Sequence, residues 1–364
     1  MKRVLFVATV VQKHIKVFHL PYLDMFRQAG YETWVAAAND TGADVDLPCC
    51  DRYAEIGFRR NPFHPANIGA FFKLRRLINT NDFDLIHCHT PVGGVLGRLA
   101  AAKARRHGTK VIYTAHGFHF YKGAPLVNWL IFYPVEKLCA PLTDLLITIN
   151  REDYALARRK LRAKRVEYVP GVGVDLSRFT PSIPDREATR RALGIPETAP
   201  LILSVGELNP NKNHETVIRA MTDIDAYYII AGAGDRQQHL QQVIDELGLG
   251  SRVRLLGYRT DIAELCRAAD LYVLPSYREG LNLSLMEAMA SGLPVACSRI
   301  RGNTDLISPE GGVMFDPHSL QECKAAISRI LKGGLPQAGK YNEQKIGEFS
   351  LDRVGGIMRD LYGL

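Results

Sequence analysis

Two glutamates, Glu279 and Glu287, stand eight residues apart in PSYREGLNLSLMEAMASGLPVACS (275–298). The string reads as a loop entering a helix. Gly280 lets a ligand approach the backbone, Asn282 or Ser284 can cap the first turn, and Leu285, Met289 and Leu293 supply a buried stripe. A helix N-terminus presents unpaired N–H groups and about half a positive charge, which suits a phosphate. Glu287 then falls about one turn inside the helix, where it can accept two hydrogen bonds from a ribose diol. Glu279, in the loop, can do the same for sugar hydroxyls. Two carboxylates taken alone are more often solvated surface groups, so their surroundings decide.

Those surroundings resemble the ExxxxxxxE motif of the family 4 retaining glycosyltransferases. SVGELNPNKNH (204–214) is similar to the family's strand-to-loop segment, in which a basic pair neutralises the donor diphosphate. Lys212 fills its lysine position; Glu207 occupies its arginine position, with Arg278 or Arg259 as candidate replacements. TAHGFHFYKGAP (114–125) resembles the first-domain histidine loop and gives His116 as a contact to the transferred sugar. HIKVFHLPYL (14–23), NWLIFYPVEKLCAPLTDLLITINREDY (128–154) and the terminal helix look like the bacterial capsular and exopolysaccharide branch.

The resemblance spans nearly the whole chain and implies a GT-B fold of two facing Rossmann-like domains. The acceptor is then held mainly by the first domain and the nucleotide by the second. The implied catalytic residues are His116, Lys212 and Glu279. Donor contacts fall to Gly206, Asn209, Gly232, Gly234, Arg259, Gly280, Leu281, Asn282, Leu283, Ser284 and Glu287. The implied reaction retains anomeric configuration by same-face attack, the leaving phosphate taking the acceptor proton. Lys212 and helix N–H groups stabilise the leaving charge, so neither metal nor cofactor is required. A UDP-hexose or UDP-N-acetylhexosamine is the expected donor, and a lipid-linked or saccharide acceptor the expected partner.

The elements needed to position these residues are legible. Apolar, β-branched runs at 3–10, 32–38, 84–89, 110–116, 144–150 and 166–170, then 201–208, 227–234, 252–257, 271–276 and 294–298, alternate with amphipathic windows. Strands covered by helices on both faces read as continuous apolar runs, so the pattern predicts two parallel α/β sheets. The expected division is 1–175 with the returning helix 350–364, and 176–349, joined by the Pro- and Gly-rich PGVGVDLSRFTPSIPD (170–185). Ser350 is the expected cap of LDRVGGIMRDLYGL (351–364), which is expected to pack back on the first domain. Ligands of such sheets bind beyond the carboxyl ends of the strands, which makes the cleft between the two domains the expected active site.

Charge separates the halves. Residues 1–180 carry 26 Lys and Arg against 15 Asp and Glu, or +11, whereas the remainder carries 20 against 23, or −3. A basic half attracts polyanions. The basic residues lack interleaved aromatic platforms, which argues against nucleic acid, and the aromatic stretch APLVNWLIFYPVEKLCAPL (124–142) reads either as an interfacial segment or as core. A peripheral protein at an anionic cytoplasmic membrane face is the expectation. The seven cysteines show no CxxC spacing, in keeping with a reducing compartment.

Three motifs are set aside. Asp44-Val45-Asp46 has the form of a metal-binding DxD but lies in an early loop. His87, His89, His116 and His119 lack structural-zinc spacing. AGAGD (231–235) lacks the third glycine of a dinucleotide fingerprint; it reads as a nucleotide contact or as a tight turn. Two other functions share parts of this pattern: a nucleotide-sugar 2-epimerase, and a membrane-associated scaffold that lost turnover, for which Glu207 is the motivating residue.

Overall fold

The computed structural model describes residues 1–40, 42–179 and 186–364, so residues 180–185 of the predicted linker lie outside the described residues. The chain divides into Met1–Val172 with Val354–Leu364, and Gly173–Arg353.

The first unit is built on seven parallel strands: β1 (Arg3–Val10), β2 (Glu32–Ala38), β3 (Arg52–Glu55), β4 (Leu85–His89), β5 (Lys110–Ala115), β6 (Leu145–Thr148) and β7 (Val166–Tyr168). Their order is β3-β2-β1-β4-β5-β6-β7. Alternation along β1 explains its unbroken apolar run: Leu5 and Val7 enter the core on one face, Val4, Phe6 and Ala8 that on the other. The terminal helix Leu351–Tyr362 joins the second of these cores through Val354, Met358, Leu361 and Tyr362. Ser350 caps it as expected, its hydroxyl accepting from Arg353 N at 3.3 Å.

The second unit has six parallel strands: β8 (Leu201–Val205), β9 (Tyr227–Ala231), β10 (Val253–Leu255), β11 (Leu271–Leu274), β12 (Val295–Ser298) and β13 (Gly312–Phe315). Their order is β10-β9-β8-β11-β12-β13. Leu201 and Leu203 face one core and Ile202 the other.

The aromatic rings of the stretch 124–142 follow the core reading. In the helix Leu126–Cys139, Trp129, Phe132 and Tyr133 pack against the core. Leu126, Leu130 and Leu138 instead face outward at 73%, 68% and 76% exposure. The aromatic rings are thus not the outward face; the aliphatic side chains are. Glu136 anchors the helix from beneath, 2.9 Å from the buried guanidinium of Arg98, which also lies 3.9 Å over the Tyr113 ring. Among the described residues, no helix is long and apolar enough to cross a membrane.

Each sheet reverses its winding once, at β1–β4 in the first unit and at β8–β11 in the second. Crevices outside the carboxyl ends of strands at such switch points are where open α/β sheets place ligands.

Candidate active site

In the second unit the loops after β8 and β11 meet at the switch point. Asn209 opens the short 3-10 turn Pro210–Lys212, its side chain accepting from Lys212 N at 3.1 Å. Lys212 Nζ then lies 2.7 Å from Glu279 Oε1. A Cβ on Gly206 would sit 3.3 Å from Lys212 Cε, so glycine leaves room for the lysine stem. Tyr277 N donates to Asn211 O and Asn211 Nδ2 to Arg278 O, each at 2.9 Å, which fixes one loop against the other. Lysine and glutamate are therefore held in place without a ligand.

Past Glu279 the chain enters the helix Leu283–Ala290. Asn282 is its cap, accepting from Leu285 N at 2.9 Å. Ser284 turns its hydroxyl inward, 2.7 Å from both Tyr272 OH and Asn282 Oδ1 and 3.0 Å from Val205 O. Leu281 and Leu283 pack against the core. Gly302, at φ +80°, allows its loop to approach Gly280: an added Cβ would stand 2.1 Å from the Gly280 carbonyl oxygen.

Glu287 follows one turn into the helix. Burial raises its carboxyl from 4.5 to about 7, with the charge of Arg178 acting in the opposite sense. Arg178 belongs to the turn Leu176–Phe179, inside the stretch that reads as a linker, and no sequence signal marked it. A carboxyl that holds its proton up to about neutral pH has no fixed ion pair and, once ionised, can accept from both hydroxyls of a diol.

Two expected donor contacts have structural duties. A Cβ on Gly232 would lie 1.8 Å from Gly206 O, and one on Gly234 would lie 2.3 Å from Leu208 O. These glycines let the AGAGD loop pack on the β8 loop, with Gly206 N donating to Ala231 O and Leu208 N to Ala233 O at 3.0 Å. Arg259 is chelated by Asp261, with Nε 2.7 Å from Oδ1 and a second contact between Nη2 and Oδ2. Glu207 is exposed and accepts from Asn209 Nδ2 at 3.1 Å.

In the first unit His116, just past β5, meets residues that the sequence keeps far apart. Its Nε2 is 3.4 Å from Nδ1 of His89, the last residue of β4. His14 and His19, from the segment after β1, complete a group in which one ring nitrogen from each histidine lies within 4.8 Å of the others. Burial lowers His116 to about 4 and holds the other three well below their ordinary value. His87 lies against His89 but spends both ring nitrogens on hydrogen bonds, to Tyr362 OH at 2.9 Å and Thr114 Oγ1 at 2.8 Å, and the His119 ring is tilted against that of Phe132 at 4.6 Å. Of the four histidines set aside for lack of zinc spacing, only His89 and His116 belong to this group; His14 and His19 join them from a distant segment. Thr90, next to His89, holds φ +63°, an uncommon backbone state for a β-branched residue at a strand end. The DxD aspartates Asp44 and Asp46 are exposed and join no such group among the described residues.

The same unit holds an apolar cavity of about 230 Å³, lined among others by Phe63, Val92, Leu96, Phe118, Ile131 and Phe132.

Two parallel α/β units whose strand-end loops carry these groups define a glycosyltransferase of the GT-B kind. Residues 23–178 match the family model for Glycosyltransferase Family 4 and residues 185–346 that for Glycosyl transferases group 1. The chain belongs to the family 4 glycosyltransferases. It is 43% identical over 313 residues to the glycosyltransferase EpsD of Bacillus subtilis, covering 84% of this chain and 81% of that one. It is 30% identical over 307 residues to the UDP-Gal:α-D-GlcNAc-diphosphoundecaprenol α-1,3-galactosyltransferase of Escherichia coli, covering 80% and 78%. Solved structures with the same fold include sucrose-phosphate synthase of Thermosynechococcus elongatus (TM-score 0.83, 22% identity, 100% and 98% covered). HepE of Anabaena in complex with UDP-glucose is another (TM-score 0.80, 20% identity, both chains fully covered).

Proposed function

We propose that the protein transfers a hexosyl or N-acetylhexosaminyl group from a UDP-sugar, with retention, to a lipid-diphosphate-linked or saccharide acceptor in surface polysaccharide assembly. The observation that carries this reading is the Lys212–Glu279 pair, held at 2.7 Å beside the Asn282-capped helix at the β8–β11 switch point. The capped helix start and Lys212 supply positive potential for a diphosphate, Glu287 takes the ribose diol, and Glu279 takes hydroxyls of the sugar.

In the reaction, the bond between the anomeric carbon and the β-phosphate oxygen breaks, and UDP leaves with the electron pair. The acceptor oxygen bonds to the same face of that carbon, and its proton passes to the departing phosphate oxygen. Charge grows on the leaving diphosphate as the sugar becomes oxocarbenium-like; Lys212 and helix N–H groups are placed before reaction to meet it, which is the arrangement electrostatic catalysis needs. The chemistry needs no metal. His116 is assigned the contact to the transferred sugar.

The E. coli relative, named for UDP-galactose and a diphosphoundecaprenol acceptor, and HepE with UDP-glucose support the choice of nucleotide and acceptor class. A lipid acceptor and the +11 first half support work at an anionic cytoplasmic membrane face, against which Leu126, Leu130 and Leu138 would rest.

Thermal melting against UDP, GDP, ADP and a panel of UDP-hexoses and UDP-N-acetylhexosamines tests the donor. A ligand at ~100 times its dissociation constant adds ~2.7 kcal/mol, so UDP and one UDP-sugar are expected to raise Tm. No shift with any uridine nucleotide overturns the donor assignment. Conversion of UDP-N-acetylglucosamine without an acceptor would show an epimerase instead.

A further inference from the structure

We propose that His14, His19, His89 and His116 form a seat for one divalent ion of the zinc class. His14 and His19 come from the segment that follows β1, His89 from the end of β4 and His116 from just past β5, so the order of the strands, not a local motif, brings them together. A tetrahedral zinc site with Zn–N bonds of about 2.0–2.1 Å sets its nitrogens roughly 3.3–3.4 Å apart. Two pairs already stand near that spacing: His14 Nε2 to His19 Nε2 at 3.2 Å, and His89 Nδ1 to His116 Nε2 at 3.4 Å. The widest separation in the set is no more than 4.8 Å, which small side-chain rotations can close.

The ring nitrogens left without a hydrogen-bond partner, His19 Nδ1 and His89 Nε2, are not those of the two pairs above and lie outside the seat. A cavity of about 20 Å³ touches His19, His89 and His116, and about 10–15 Å³ suffices for one water-sized occupant. The burial that keeps these imidazoles neutral also keeps their lone pairs available to a metal. With four imidazoles and no carboxylate in the set, it selects zinc, cobalt, nickel or copper over magnesium or calcium.

The seat is independent of turnover, but one consequence rests on the role proposed for His116. An ion there takes the lone pair that the sugar contact would use, so ion and transferred sugar compete.

The test is a titration of tag-free, EDTA-dialysed full-length protein with Zn²⁺ against a chromophoric chelator, and with Co²⁺ followed by its visible ligand-field bands. One ion per chain is expected, with the intense bands of tetrahedral Co²⁺. His14→Ala and His19→Gln are each expected to weaken it by roughly tenfold or more, and His107→Ala, on the surface, to leave it unchanged. Melting of the metal-free variants checks that they fold; Zn²⁺ should raise Tm in the native chain and not in the double variant that combines His14→Ala with His19→Gln. Absence of binding, binding that survives the double variant, or weak octahedral Co²⁺ bands would overturn the seat and leave a single buried water as the occupant. Because the readout is binding, this failure is distinct from failure of the transferase reading. Slowing of sugar transfer by Zn²⁺, reversed by EDTA, is expected; transfer unaffected by a filled site would overturn the competition.

Discussion

Lys212 Nζ and Glu279 Oε1 stand 2.7 Å apart, bridging the loops that leave β8 and β11. The lysine is partnered before any donor arrives, so a diphosphate must draw on a charge that the glutamate already shares. Removing the lysine takes away a preorganised positive group whose work is greatest when the leaving group is charged. Lys212→Ala is expected to lower kcat by about 10²–10³-fold with the chain still folded, as steady-state kinetics and a melting curve together will show. Glu279→Gln keeps the shape and is expected to spare UDP binding while raising KM for the UDP-sugar.

Glu287 carries the pH dependence. Its carboxyl is raised from 4.5 to about 7 by burial. Below 4.5 both folded and unfolded chains hold the proton; between 4.5 and 7 only the folded chain does, so this group's contribution to stability falls as pH rises through that window. Glu287→Gln is expected to be as stable as the native chain near pH 4.5 and more stable above pH 7, by melting across pH. Ribose hydroxyls donate best to the ionised carboxylate, so UDP affinity is expected to rise as pH passes about 7 in the native chain and to lose that rise in Glu287→Gln.

Two neighbouring glycines are expected to differ in kind. An added Cβ at Gly232 would meet the backbone oxygen of Gly206 at 1.8 Å, which no side-chain rotation relieves. Gly232→Ala is expected to destabilise by about 1–3 kcal/mol, read by denaturant unfolding. At Gly206 the obstacle is the flexible Lys212 stem at 3.3 Å. Gly206→Ala is expected to fold normally and to show its effect in kcat.

The contrast shows what a sequence can and cannot carry. Strand starts were legible because an apolar run declares itself, and β1 and β2 match to the residue. Strand ends ran long: the window 201–208 stops as β8 at Val205, and 227–234 stops as β9 at Ala231, because glycines and apolar residues continue into the loops that hold the site. The edge strands β3, RYAE, and β13, GVMF, were missed because one face or a short run gives too little contrast. A compact motif picks out Glu279, Glu287 and Lys212, and the fold brings Lys212 and Glu279 into contact. His14 and His19 are not picked out, because their partnership with His89 and His116 exists only once β1, β4 and β5 lie side by side.

The outward aliphatic face of the Leu126–Cys139 helix makes a membrane prediction. Leu126→Glu with Leu130→Glu is expected to reduce flotation with vesicles containing anionic phospholipid. At exposures of 73% and 68%, stability should stay within about 0.5 kcal/mol per site. Unchanged flotation would assign the face another partner.

The most direct test is transfer itself: the protein with the UDP-sugar that stabilises it and an N-acetylglucosaminyl diphosphate carrying a long alkyl tail, the product's new anomeric centre being read by NMR. An α-linked disaccharide from the α-configured donor, lost in Lys212→Ala, is the predicted result. A β-linked product would contradict retention, and absence of transfer from every UDP-sugar that binds would contradict the assignment of this site to glycosyl transfer.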